Sequence, residues 1–126
     1  MPTCLVVDDS KTIRKIITGI INQLGFTCTE AEDGQVAYNA CQAAMPDVIM
    51  LDWNMPVMNG LEFLVKLRAM PNGTSPKVLF CTTENDMEFI QKGMEAGADE
   101  FIMKPFDQSI ITTKFVQLGL MEEKAS

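Results

Sequence analysis

The sequence predicts a doubly wound α/β fold, a parallel sheet with helices on both faces. Three observations predict it. Short apolar runs alternate with amphipathic stretches five times along the chain. Four of the five runs are nearly continuous rather than alternating, as strands covered on both faces are. The 126 residues are the length of one ordinary domain with its own core. No repeat, low-complexity segment or linker divides the chain, so a single domain over 1–126 is expected.

The first strand is Cys4-Leu5-Val6-Val7. A helix follows, because Ile13, Ile16, Ile17, Ile20 and Ile21 recur at the spacing of one helical face and Gly25 is placed to end it. Thr27-Cys28-Thr29 is a weaker second strand. Val36, Ala37, Ala40, Cys41 and Ala44 form a smaller apolar face that stops before Pro46. Val48-Ile49-Met50-Leu51 is the third strand; a short helix from Leu61 to Leu67 follows, closed by Pro71-Asn72-Gly73. Val78-Leu79-Phe80-Cys81 leads to a fourth helix marked by Met87, Ile90 and Met94 and ending near Gly97. Phe101-Ile102-Met103 is the fifth strand. The last helix is capped by Asp107, with Ile111, Phe115 and Leu118 on one face. Met121 to Ser126 reads as a fraying tail.

Composition narrows the chemistry. The net charge of −7 argues against nucleic-acid or anionic-membrane partners. No run approaches the ~20 apolar residues of a membrane span, and the start, Met1-Pro2-Thr3-Cys4-Leu5, lacks the features of a secretory signal. A cytoplasmic protein is expected. Histidine is absent, which excludes Ser-His-Asp and Cys-His catalytic units. Cys4, Cys28, Cys41 and Cys81 form no C-x-x-C pair, so zinc is not expected and the cysteines read as small core residues. Of the methionines, Met50, Met55 and Met103 lie in or beside strands and read as gap-fillers.

What stands at the strand ends is more informative. Asp8-Asp9 follows the first strand, Asp52 the third, Thr82-Thr83 the fourth and Lys104-Pro105 the fifth. Open parallel sheets bind ligands outside the carboxyl ends of their strands. The fold therefore gathers three carboxylates, a hydroxyl and an ammonium. Carboxylates this close repel, and an all-oxygen set without His or Cys suits a hard cation such as Mg²⁺. One carboxylate can then act as a nucleophile toward phosphorus, with Lys104 and Thr82 holding phosphoryl oxygens. Taken singly, each pair reads as a turn, a cap or loop punctuation; their coincidence does not.

The strings Val6-Val7-Asp8-Asp9-Ser10, Asp52-Trp53-Asn54-Met55-Pro56, Asn59-Gly60-Leu61-Glu62 and Lys104-Pro105-Phe106 resemble the receiver domains of two-component response regulators, most nearly the single-domain chemotaxis type. The resemblance spans Thr3 to Leu120. It implies a flavodoxin-like (βα)5 fold with strand order 2-1-3-4-5. It also implies that Asp52 is phosphorylated, and that Mg²⁺ is held by Asp9 and Asp52, by Asp8 through water, and by the Asn54 carbonyl. Thr82 matches the switch hydroxyl, Lys104 the phosphate-contacting lysine, and the Lys104-Pro105 peptide is expected to be cis. Asn54, Thr83 and Glu84 stand where the family tunes hydrolysis, Thr83 replacing a common alanine. Phe101 replaces a common tyrosine and lacks its hydroxyl. Trp53 is expected at the pocket rim.

The function implied is a stand-alone, monomeric phospho-acceptor that is not an enzyme in its own right. A sensor histidine kinase donates the phosphoryl group. The face of the fourth helix, fifth strand and fifth helix, including Ile90, Phe101 and Gln108, then binds a partner, since no output domain follows. The flagellar switch is one expected partner, and an adaptor or phosphate sink in another pathway is the alternative. Two other classes remain open. A phosphatase with an aspartyl-phosphate intermediate wants a second acid two residues after the nucleophile, where this chain has Asn54. An FMN carrier wants a hydroxyl- and glycine-rich loop, where this chain has Asp8-Asp9-Ser10-Lys11.

Overall fold

Strands and helices alternate without exception in the computed structural model, which describes residues 2–82, 87–104 and 106–122. The order is β1 (Thr3–Val7), α1 (Lys11–Gln23), β2 (Thr27–Ala31), α2 (Gly34–Ala43), β3 (Val48–Asp52), α3 (Gly60–Arg68), β4 (Lys77–Thr82), α4 (Met87–Ala96), β5 (Glu100–Met103) and α5 (Gln108–Gln117). All strand pairs are parallel, and the sheet order is β2-β1-β3-β4-β5. This is the flavodoxin-like arrangement. Thr83, Glu84 and Pro105, and with Pro105 the Lys104-Pro105 peptide, lie outside the described residues, as does the tail from Glu123.

Alternate strand residues feed two cores, one per face of the sheet. Leu5, Val7, Ile49, Leu51, Val78 and Phe80 pack with residues of α2 and α3. Cys4, Val6, Val48, Met50, Leu79, Cys81 and Ile102 pack with α1 and α5. Because both faces are covered, the central strands read as continuous apolar runs. The edge strand β2 is mostly exposed, which explains its weak signal.

Polar side chains start four of the helices, Asp107 as expected. Ser10, Asp33, Asn59 and Asp107 each accept a backbone N–H of the first turn, and Asn59 with Glu62 completes a capping box. Gly25, at φ +96°, ends α1 with Gly25 N–H donating to the Asn22 carbonyl and Phe26 N–H to Ile21.

Three expectations about buried faces need correction. In α1 Ile17, Thr18 and Ile21 are buried while Ile16 is 54 % exposed. In α2 Ala37 and Cys41 are buried, but Ala44 lies one residue past the helix in extended backbone and is exposed. In α4 Met87 and Met94 are 75 % and 45 % exposed. That helix turns Gly93 inward, with Phe89 and Ala96 half-buried beside it. Among the three methionines read as gap-fillers, Met50 is buried, Met55 packs at the core margin, and Met103 is exposed.

Candidate functional site

Parallel strands all finish at the same edge of the sheet, so residues that follow them become neighbours. Asp8 and Asp9 follow β1, Asp52 ends β3, Thr82 ends β4 and Lys104 follows β5. Between β1 and β3 the strand order reverses, which makes that crevice the natural ligand position. Oxygens of Asp8, Asp9 and Asp52 all lie within 4.8 Å of one another. The Lys104 ammonium donates to Asp8 Oδ2 at 2.9 Å and to Asp52 Oδ1 at 3.2 Å.

Local structure holds each group in place. Ser10 N–H donates to Asp8 Oδ1 at 2.9 Å, and the Ser10 hydroxyl accepts from Ile13 N–H at 3.2 Å. One short segment thus fixes Asp8 and starts α1. Arg14 reaches back to donate to the Asp8 carbonyl at 2.7 Å. The Lys104 N–H donates to the Thr82 carbonyl at 2.9 Å, setting the lysine's approach. Gly60 N–H donates to the Trp53 carbonyl. A side chain at Gly60 would collide with the Asp52 carbonyl and the Phe80 ring. Glycine is therefore required for α3 to start against Asp52.

Burial and charge compete at the centre. Asp8 is 2 % exposed and Thr82 3 %, whereas Asp9 is exposed. Burial raises the Asp52 carboxyl above its usual range; the Lys104 charge opposes that rise and the Asp8 charge adds to it. Burial works against the Lys104 charge, but its hydrogen bond to Asp8 and the two carboxylates outweigh it and hold the ammonium above its usual value. One lysine beside three carboxylates leaves negative charge in excess. Their geometry and all-oxygen chemistry fit a hard divalent cation such as Mg²⁺. Asp8, Asp9 and Asp52 are the side chains that would hold it.

Asn54 sits exposed on the loop after β3. Phe101 is half-buried, stacked on Phe80 with centroids 5.4 Å apart at 28°. It fits beneath Gly93, where a Cβ would lie 2.7 Å from its Cζ. Ile90 is half-buried on α4, and Gln108 is exposed at the start of α5. Trp53 corrects the sequence expectation: it is 5 % exposed, a core residue packed on Phe80 at 4.8 Å and edge-on to Phe89 at 5.1 Å. The ring beside Asp52 therefore ties the site to α4 rather than lining its mouth. Sequence reasoning also missed Arg14 and Gly93. No local pattern signals either. A hollow of about 680 Å³ opens between the ends of α2 and α3. Its one charged lining residue is Lys66, so the carboxylate chemistry is not there.

Comparison with known proteins agrees with this geometry. The response regulator receiver domain family matches residues 4–115. The chain is 38 % identical over 118 residues to "Chemotaxis protein CheY1" of Helicobacter pylori, covering 91 % of this chain and 95 % of that one. It is 35 % identical over 115 residues to "Chemotaxis protein CheY" of Pseudomonas aeruginosa, covering 90 % and 93 %. Among solved structures, Vibrio cholerae chemotaxis protein CheY4 superposes with a TM-score of 0.88 at 34 % identity, covering 93 % of this chain and 98 % of that one.

Proposed function

The chain belongs to the response regulator receiver family, and on that footing we propose that it is a phospho-acceptor switch phosphorylated on Asp52. The observation that carries this reading is the convergence of Asp8, Asp9 and Asp52 within 4.8 Å beside the Lys104 ammonium. An Asp52 oxygen attacks phosphorus of a kinase phosphohistidine. The P–N bond breaks, and the imidazole nitrogen leaves with the electron pair and picks up a proton. A bound Mg²⁺ supplies charge neutralisation for the phosphoryl oxygens. Lys104 stays protonated and exchanges its Asp52 contact for a phosphoryl oxygen. The Thr82 hydroxyl binds a second one. Asn54, Thr83 and Glu84 set how readily water reaches the phosphoryl group.

Output follows from the elements that share this edge. Drawing Thr82 toward the phosphoryl group moves the end of β4, and β4 carries Phe80, on which Phe101 and Trp53 pack. The local charge event thereby shifts populations of the α4-β5-α5 face, including Ile90, Phe101 and Gln108. Relatives named as chemotaxis proteins support a flagellar switch component as the partner.

Incubation with acetyl phosphate and Mg²⁺, or with a phosphorylated histidine kinase, is expected to label the wild type and not Asp52→Asn. Label that persists in the variant overturns the assignment. Pull-down with the flagellar switch protein, with and without beryllofluoride, separates a chemotaxis messenger from an adaptor or phosphate sink. Beryllofluoride-dependent capture supports the first and its absence the second.

A further inference from the structure

Outside the carboxylate site, two thiols stand opposite each other across the sheet. Cys4 on β1 and Cys28 on β2 are register partners. Both face the core shared with α1 and α5, Cys4 fully buried and Cys28 partly so. We propose that Cys4 and Cys28 form a peroxide-reactive dithiol site, in which a hydroperoxide converts the pair to a disulfide joining β1 to β2.

Geometry supports the bond. Neighbouring strands lie about 4.7–4.9 Å apart, inside the roughly 4.4–6.8 Å that a disulfide spans between Cα atoms. The Cys28 thiol donates to the Thr18 carbonyl of α1 at 3.9 Å, on the same face of the sheet as Cys4. β2 is the edge strand, paired on one side only, so it can shift to let the sulfurs meet without breaking a second ladder. β1, by contrast, is held between two neighbours.

The two cysteines are unequal in the way such a reaction needs. The neighbouring Cys4 thiol lowers the Cys28 thiol from its usual value, while burial and the Glu30 charge oppose it. The same contact, with burial, raises Cys4 well above its usual value. Cys28 is therefore the more readily ionised and more accessible sulfur, and Cys4 the resolving one. The Cys28 thiolate attacks one peroxide oxygen, the O–O bond breaks, and the displaced oxygen leaves as water. Cys28 is then a sulfenic acid. The Cys4 sulfur attacks the Cys28 sulfur and displaces hydroxide, which takes the Cys4 proton and leaves as a second water. Two thiols are oxidised as one hydrogen peroxide is reduced. Cys41 and Cys81 are internal controls. Both are buried, and burial pushes the Cys41 thiol up to about 11.

The test is to treat the folded protein with hydrogen peroxide, alkylate it in denaturant, and map peptides by mass. The expected result is loss of two hydrogens and a crosslinked peptide joining Cys4 to Cys28. Cys28 should be consumed at least about tenfold sooner than Cys41. Cys4→Ala should leave Cys28 as a sulfenic acid trapped by dimedone, and Cys28→Ala should give no crosslink, with circular dichroism confirming that each variant is folded. The wild-type map decides the matter even if a variant does not fold. Peroxide treatment that leaves Cys4 and Cys28 both alkylatable, or takes Cys28 to sulfinic acid with Cys4 still a thiol, overturns the proposal.

Discussion

Asp52 is the residue whose two states the protein weighs most closely. Its carboxyl is raised above the usual 3.8, chiefly by burial, with Lys104 opposing. The folded protein thus holds that proton more readily than the unfolded chain, so stability falls as pH rises from 3.8 through the raised folded value. Without divalent cations, Asp52→Asn is expected to be more stable than the wild type near neutral pH. The advantage should vanish as the solution falls below the unfolded value. Urea denaturation at several pH values reads this directly, and a variant no more stable at neutral pH would contradict it. Val57 shows a different strain. This β-branched residue sits at φ +69° and is 80 % exposed, a conformation that costs a side chain about 1–2 kcal/mol. Val57→Gly or Val57→Asn is expected to raise the unfolding free energy by about 1 kcal/mol, read as a higher urea midpoint with an unchanged slope.

Between elements, the contact of α4 with β5 turns on one missing side chain. Gly93 admits the Phe101 ring, and Phe101 in turn stacks on Phe80. Gly93→Ala gains about 1 kcal/mol of helix propensity but places a Cβ 2.7 Å from Phe101 and 3.1 Å from Phe80. Overpacking of that kind costs about 1–3 kcal/mol. We expect a net loss that shrinks when Phe101 is also made Leu. The coupling is measured by a double-mutant cycle, and a strictly additive cycle would place the clash elsewhere. Arg68 makes a second tie at the far end of α3. Its guanidinium donates to the carbonyls of Gly73, Pro76 and Gly97 and pairs with Asp99 at 3.1 Å. It joins the α3–β4 and α4–β5 loops, two segments that no sequence pattern links.

Over the whole molecule, the acidic edge should make stability depend on divalent cations. A ligand that binds only the folded state stabilises it by mass action, about 1.4 kcal/mol at tenfold its dissociation constant. Millimolar Mg²⁺ is expected to raise the Tm of the wild type and to do so far less in Asp9→Asn. Asp9 suits this test because it is exposed and its loss leaves the core untouched. Equal shifts in both proteins would remove Asp9 from the cation site.

How much was legible beforehand follows from how local each signal is. Continuous apolar runs, the helix cap at Asp107 and the stop at Gly25 are written in a few adjacent residues, so all ten elements and the two-sided sheet could be read. The chemical types at the strand ends were legible for the same reason, because parallel strands must finish at one edge. Helix faces were not. Ile16, Met87 and Met94 are as apolar as their neighbours, and only the sheet beneath decides which side is covered. Trp53 turned inward because Phe80 and Phe89 offered it rings to pack on, residues 27 and 36 positions away. The pairing of Cys4 with Cys28 was equally out of reach, since register belongs to two strands together. Sequence alone determined the order of elements and the chemistry available to them. The tertiary structure decided which surfaces meet, because burial, register and charge coupling depend on neighbours that the chain brings from far away.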